Sequence, residues 1–398
     1  MKLINSCVMI NNKLEDKCFL YDRRGHRRFD INVEMFDLIK SIHLNNMSYD
    51  DAVSDCDKET IDFLIENVLL TSESESYISN IKEIDSVNNA RVFMEVTDKC
   101  NLNCKHCYGG FAIENKNFVK IDKVFRIIDQ AEKLGVYEFD LTGGEPLMYP
   151  QLEQLLEKLY NAGMLVSIFT NLVLLSEKKI TLLQKYGVKK IITSLDSCKE
   201  EIHEEFRGMP GCFKKTIESI NKLKSLKFEV AINTMIGNHN IDYIDEQIEF
   251  LKSFELLFVL DVIVSEGRAM NLNENTLEAS LVIKSITEKY KENLNEEVNY
   301  KYCGIADRFI YIKSDGNIYI CPSLVDDQFC LGNINNDINL KDIWQLMISK
   351  FSYIKCNDKD DKCKKCKGGC RARAFKLRGE ICAIDEVYCN IIKGNCDV

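Results

Sequence analysis

Three cysteines, Cys100, Cys104 and Cys107, stand in the run Cys-Asn-Leu-Asn-Cys-Lys-His-Cys. Thiolates are the usual protein ligands of iron–sulfur clusters. At this spacing they can hold three irons of a four-iron cube and leave the fourth open to a small molecule. A zinc site completed by His106 uses the same residues and is the competing chemistry. A second motif is the turn Gly143, Gly144, Glu145, Pro146. Its glycines let backbone approach a ligand closely, and its carboxylate can pair with an ammonium. Third, ten of the chain's 18 cysteines crowd between Cys303 and Cys396. A disulfide framework would spread more evenly, so this crowding also reads as metal. Cys7, Cys18, Cys56, Cys198 and Cys212 read as buried or inert thiols.

The elements that must position these residues follow from periodicity. β-formers predict strands over residues 91–96, 137–141, 165–170, 190–195, 229–234 and 257–264. Helices fall between them. In the first, Asp122 is the expected cap, Val124, Ile127, Ile128, Ala131 and Leu134 share a face, and Gly135 ends it. Six strand–helix units imply an α/β fold with a parallel sheet, a partial (β/α)6 barrel over residues 91–298. Its functional face is the carboxyl end of the strands. The motifs lie there, as do Thr170, Asn171, Ser194, Asp196, Asn233 and the run from Glu266 to Arg268.

Residues 1–85 form a different unit. Short strands near residues 7–10, 18–21 and 28–31 precede helical spacing at Met35, Leu38, Ile39 and Ile42, then at Ile61, Leu64, Ile65 and Val68. This order predicts a winged-helix-like module, joined to the barrel through polar stretches at 72–76 and 85–90. Residues 299–398 lose the alternation and read as a cysteine-rich domain whose fold depends on its metals.

Composition bounds the function. The 398 residues are 45% apolar and 29% charged, with a formal charge of -10. No apolar run is long enough for a membrane span. The negative balance argues against nucleic acid or anionic membrane as a partner. The amino-terminal sequence lacks a secretory core, so a cytoplasmic, reducing location is expected. His203 and His239 read as surface or core histidines, because nothing pairs them as ligands.

The cysteine triad after the first strand, with His106 before its last member, and the Gly143–Pro146 turn after the second strand together resemble the radical S-adenosylmethionine (SAM) enzymes. The resemblance implies a SAM-binding 4Fe-4S cluster on Cys100, Cys104 and Cys107. It implies that Gly143, Gly144, Glu145 and Pro146 hold the SAM amino group. Ser194, Asp196 and Arg207 would meet its ribose and carboxylate, and Thr170 and Asn171 would complete the cofactor site. Cys303, Gly316, Cys321, the Leu-Gly-Asn-Ile run from Leu331, the run Cys-Lys-Lys-Cys-Lys-Gly-Gly-Cys-Arg-Ala-Arg-Ala from Cys363, and Cys389 are similar to the SPASM extension. That similarity implies two auxiliary 4Fe-4S clusters, three clusters in all. Cys303, Cys321 and Cys370 would hold the nearer one, and Cys356, Cys363, Cys366 and Cys389 the outer one. The spacing through Cys356, Cys363, Cys366 and Cys370 is six, two and three, where the family has two, five and three. Cys382 and Cys396 are therefore substitute ligands for the outer cluster. Cys330 is the candidate fourth ligand of the nearer one, whose open iron could otherwise bind a substrate thiolate.

The first 85 residues resemble the peptide-recognition element found in pyrroloquinoline-quinone biosynthesis, which implies a leader peptide added as a strand to a sheet edge. The expected activity is then radical SAM modification of a ribosomally made precursor peptide, with a thioether crosslink first and a carbon–carbon crosslink second. An electron donor such as a flavodoxin or ferredoxin is implied. A sulfatase-type formylglycine maturase is an alternative, although Pro322 follows Cys321 where that group has an Asp. Cofactor biosynthesis, as in haem-modifying relatives, is another. A zinc-stabilised peptide-binding scaffold is the non-enzyme alternative.

Overall fold

The computed structural model describes residues 1–3, 6–13, 17–23, 27–67, 69–71, 81–84, 91–272, 281–282, 284–285, 305, 309–351, 369–387 and 389. Cys303, Cys356, Cys363, Cys366 and Cys396 lie outside the described residues.

The amino-terminal module comprises β1 (Lys2–Leu3), β2 (Cys7–Asn12), β3 (Lys17–Asp22), β4 (Arg27–Asp30), α1 (Val33–Asn45), α2 (Tyr49–Asp55), α3 (Lys58–Glu66), β5 (Leu70–Thr71) and β6 (Ile81–Ile84). Sheet order is β4-β3-β2-β6, and β1 pairs with β5. Each helix starts where a short polar side chain accepts from the first turn: Asn32 for α1, Ser48 in a capping box for α2, Asp57 for α3. Neither α2 nor β6 is legible as periodicity, since both are short. Alternation along β2 explains how the module is used. Cys7 and Met9 face the module's own core with Leu20, Phe36, Ile39 and Ile61. Val8 and Ile10 face the other way and pack, with Phe19 and Tyr21, on Tyr137 and Leu165 of the barrel.

The barrel strands are β7 (Arg91–Thr97), β8 (Glu138–Gly143), β9 (Leu165–Phe169), β10 (Lys190–Ser194), β11 (Glu229–Ile236) and β12 (Leu257–Val262). The intervening helices are α4 (Ile121–Lys133), α5 (Leu152–Asn161), α6 (Glu177–Lys185), the pair α7 (Glu200–Arg207) and α8 (Cys212–Ser225), and α9 (Ile244–Lys252). All five strand pairings within β7–β12 are parallel and sequential, as expected for a partial six-fold barrel. One boundary differs from expectation. Lys120, without a side-chain cap, precedes α4, and Asp122 sits in the first turn, where its charge favours the helix dipole. Because Tyr137 and Leu165 lie at the amino-terminal ends of β8 and β9, the module docks on the barrel face opposite the strand carboxyl ends. Arg23 reinforces this contact by donating to Tyr160 O at 2.8 Å and covering the Tyr160 ring.

The carboxyl-terminal region supplies β13 (Phe309–Ile312), β14 (Asn317–Tyr319), β15 (Cys330–Asn333), α10 (Leu340–Phe351) and α11 (Arg371–Arg378). Its strands continue the barrel sheet, in the order β12-β11-β10-β9-β8-β7-β13-β14-β15. β13 pairs in parallel with β7, and β14 and β15 follow antiparallel. The free edge of β7 is thereby covered. Side chains lock the join: the hydroxyls of Tyr311 and Ser314 both donate to the buried Glu95 carboxylate of β7.

Candidate active site

The cluster loop leaves β7 at Thr97 and is held by backbone on three sides. Cys100 N donates to Ala112 O at 3.0 Å, inside the loop itself. From β8, Gly144 N donates to Thr97 O at 2.7 Å and Glu145 N to Lys99 O at 2.9 Å. From the loop, Asn103 N and Lys105 N donate to the last carbonyls of α7, Arg207 O and Phe206 O, at 3.2 and 2.9 Å. Arg268, after β12, closes the remaining side. Its Nε donates to Cys104 O at 2.7 Å, its Nη1 to Phe111 O at 2.9 Å, and its backbone N to Cys107 O at 2.9 Å.

Gly143, the last residue of β8, and Gly144 also pack tightly on the cluster loop. Gly143 has φ 138°, and a Cβ there would stand 2.2 Å from Thr97 O; at Gly144 it would stand 2.3 Å from Lys99 O. Their small size serves contact with the cluster loop as well as access to the cavity they border. The Glu145 carboxylate is also engaged within the protein. It is fully buried and accepts from Leu147 N at 2.9 Å, Thr170 Oγ1 at 2.7 Å and Asn171 N at 2.9 Å. Burial still pushes its pKa up, with these hydrogen bonds opposing. Pro146 starts the short 3-10 turn that follows.

These elements surround a solvent-open cavity of about 800 Å³. Cys100, Cys104, Cys107, Gly143, Gly144, Thr170, Asn171, Ser194 and Arg207 line it, with Asn233 and Arg268. Of the expected cofactor residues, Glu145, Pro146 and Asp196 do not line it. Asp196 lies fully buried behind Arg207, whose Nε donates to Asp196 Oδ2 at 2.6 Å, and it accepts from Met235 N at 3.1 Å. Leu102, Tyr108, Phe111, Thr142, Phe169 and Ile192 also line the cavity. Their sequence gives no chemical signal beyond their places beside the triad and at strand ends. His203 is core: its Nδ1 accepts from Asp196 N at 3.2 Å. His239 stacks on Phe206 at 3.7 Å, and Phe206 on His106 at 4.5 Å. Burial pushes His106 down to about 3 and His203 and His239 to about 4, so all three rings are neutral at pH 7.

The donor set fits an iron–sulfur cluster. Among the described residues no three Cys, His, Asp or Glu side chains converge on one ion; a cube instead takes one thiolate per iron. Each thiol has an N–H donor pointed at its sulfur: Leu102 N to Cys100 at 3.4 Å, Phe111 N to Cys107 at 3.4 Å and Arg207 Nη1 to Cys104 at 3.8 Å. Burial pushes the free Cys100 thiol up to about 12 and Cys104 upward as well, so iron must displace their protons.

Five of the auxiliary candidates are described. Cys321 Sγ accepts from Ser323 N at 3.4 Å in the turn after β14. Cys370 caps α11, its sulfur accepting from Arg373 N at 3.5 Å. Its own N–H donates to Asp385 at 2.7 Å, a carboxylate gripped by Arg373 at 2.8 and 2.9 Å. Cys389 is buried nearby in sequence. Cys330 and Cys382 are half-buried.

Comparison with known proteins agrees with this geometry. The radical SAM superfamily profile matches residues 94–251, and the SPASM iron–sulfur cluster-binding domain matches residues 303–370. The AdoMet-dependent heme synthase of Methanosarcina barkeri is 27% identical over 337 residues, 74% of this chain and 94% of that protein. The subtilosin biosynthesis protein AlbA of Bacillus subtilis is 27% identical over 291 residues, 67% of this chain and 63% of that protein. Among solved structures, Streptococcus suis SuiB bound to its precursor peptide SuiA superposes with a TM-score of 0.65 at 18% identity, covering 97% of this chain and 99% of that one. These matches set aside the zinc-scaffold alternative. The chain carries a radical SAM domain followed by a SPASM iron–sulfur cluster-binding domain.

Proposed function

We propose that this enzyme matures a ribosomally synthesised precursor peptide, holding the leader on the amino-terminal module and joining a cysteine of the core peptide through a thioether. The observation that carries the reading is the outer edge of the module's sheet. β4 ends the sheet order there. Beside it lies a groove of about 670 Å³ lined by Phe29, Ile31, Met35, Ile39, Phe63 and Leu64, with Asp57 and Glu59 on its rim. A strand added to β4 would take its main-chain hydrogen bonds and set alternate side chains into this groove. The acidic rim favours a basic residue beside the apolar ones. AlbA, which acts in subtilosin biosynthesis, and SuiB, crystallised with its precursor peptide, support the reading.

When bound and reduced by one electron, SAM would supply radical chemistry for hydrogen-atom abstraction from a substrate carbon. The chain's own residues arrange the site for it. Cys100, Cys104 and Cys107 hold the cluster. The backbone at Gly143 and Gly144, fixed by Glu145, would meet the SAM ammonium. Ser194 and Arg207 would meet its ribose and carboxylate, and Thr170 and Asn171 would complete the cofactor site. Leu102, Phe111, Phe169 and Ile192 keep water from the reacting carbon. Cys303, Cys321 and Cys370 would hold the nearer auxiliary cluster, and Cys356, Cys363, Cys366 and Cys389 the outer one. A flavodoxin- or ferredoxin-type protein delivers the reducing electron.

Haem-type cofactor synthesis is the second reading, favoured by the similarity to the heme synthase; it leaves the groove beside β4 unused. Co-expression with each short cysteine-containing reading frame beside the gene, followed by mass spectrometry, tests the proposal. A peptide lacking two hydrogens per crosslink, with its cysteine protected from alkylation, is expected. A crosslinked peptide whose cysteine still alkylates indicates a carbon–carbon bond. Unmodified peptides from an enzyme that cleaves SAM overturn the peptide reading.

A further inference from the structure

We infer that the buried Asp196–Arg207 pair sets the reduction potential of the SAM-binding cluster, through the hydrogen bond that Arg207 gives the Cys104 sulfur. The inference rests on the reading that Cys100, Cys104 and Cys107 hold that cluster.

Arg207 is placed for this by the end of α7, which also holds the cluster loop. Gly208, at φ 68°, terminates the helix where a Cβ would stand 2.5 Å from Asn103 O. The guanidinium is then divided between two partners. Nε donates to Asp196 Oδ2 at 2.6 Å, and Nη1 lies 3.8 Å from Cys104 Sγ. Asp196 is itself fixed. Its Oδ1 accepts from Met235 N at 3.1 Å, its carbonyl from Asn240 Nδ2 at 2.7 Å, and its N–H donates to His203 Nδ1 at 3.2 Å. Among the described residues, Arg207 is the charged side chain paired with the Asp196 carboxylate. The ion pair therefore supplies the local charge, and it is nearly balanced.

An N–H···S bond stabilises the more negative, reduced cluster and raises its potential. The carboxylate on the far side of Arg207 tempers that effect. The two residues thus pull in opposite directions. Arg207→Gln removes donor and cation and lowers the potential. Asp196→Asn leaves the cation uncompensated and raises it. Arg207→Lys keeps the charge and stays nearest to wild type.

The test is a potentiometric titration of the anaerobically reconstituted full-length protein, followed by electron paramagnetic resonance, without SAM or peptide. The relevant signal is the one missing from the Cys100→Ala/Cys104→Ala/Cys107→Ala protein. At a fixed potential, the reduced-to-oxidised ratio is expected to fall about tenfold in Arg207→Gln and rise about tenfold in Asp196→Asn, about 59 mV each way for one electron. Iron content is measured on every sample, because a merely structural lesion loses iron or moves both variants the same way. Shifts of one sign, or none at full iron occupancy, overturn the inference. A wild-type protein that lacks the triad-dependent signal overturns the cluster assignment and this inference together.

Discussion

Thr170 Oγ1 donates to Glu145 Oε1 across 2.7 Å, so the turn after β8 is fixed by the end of β9. Leu147 N and Asn171 N complete the grip on the same carboxylate. Glu145→Ala strands two buried donors, each costing about 1–3 kcal/mol, and one part-buried donor. The expected result is a stability loss of about 3 kcal/mol or more, with SAM binding lost alongside it. Urea unfolding and calorimetric titration of SAM into the reconstituted protein check both. Undiminished SAM binding would show that the turn does not depend on Glu145.

Arg268 joins the loop after β12 to three carbonyls of the cluster loop, through its backbone and its guanidinium. Arg268→Ala should leave the barrel folded while the cluster loop loosens. Iron on the triad should then fall severalfold and bleach faster in air, whereas Arg268→Lys should retain part of it. Iron assay and the visible absorbance of the cluster read this out. Full iron retention in Arg268→Ala would assign the residue to the substrate side of the cavity instead.

The chemistry-bearing motifs were legible because type and spacing alone identify three thiols or a Gly-Gly-Glu-Pro turn. The six barrel strands were legible because each carries a full stripe of β-formers. What a side chain faces is not written locally. Glu145 reads as a free carboxylate until Thr170 is brought beside it, and Asp196 as a cavity residue until Arg207 covers it. The pairing of β13 with β7 joins segments at opposite ends of the barrel sequence, so no local period reveals it. The stack of His106, Phe206 and His239 is missed for the same reason. α2 and β6 are too short to show a period.

Lys82 seals the contact between module and barrel by donating to Ala162 O at 3.0 Å. Burial pushes its pKa from 10.5 down to about 8. Between those values the unfolded chain binds more protons than the folded one, so stability rises with pH across that window. Lys82→Met should flatten the rise and stabilise the protein at pH 7 by on the order of 2 kcal/mol. Thermal unfolding of both proteins from pH 7 to 11 measures it. Parallel curves would mean that Lys82 remains charged in the folded state.

Phe63 is half exposed at the groove and meets Phe29 edge-on, with ring centroids 6.2 Å apart. Phe63→Glu places a charge where the leader's apolar side chains are proposed to lie. Co-expressed precursor should go unmodified, while SAM cleavage without peptide continues at the wild-type rate. Because the module sits opposite the strand carboxyl ends, a path along a six-residue strand covers about 20 Å. Leader and modified residue should therefore be separated by at least about six residues. Modification of a precursor with a shorter spacer would place the leader elsewhere.

Radical SAM chemistry on the Cys100–Cys104–Cys107 cluster is tested most directly by 5′-deoxyadenosine formation by the anaerobically reconstituted enzyme, with SAM and a strong reductant. Turnover to 5′-deoxyadenosine and methionine is expected from the wild-type chain, and none from the Cys100→Ala/Cys104→Ala/Cys107→Ala protein. No 5′-deoxyadenosine from a wild-type chain fully loaded with iron, or equal amounts from both proteins, would contradict it.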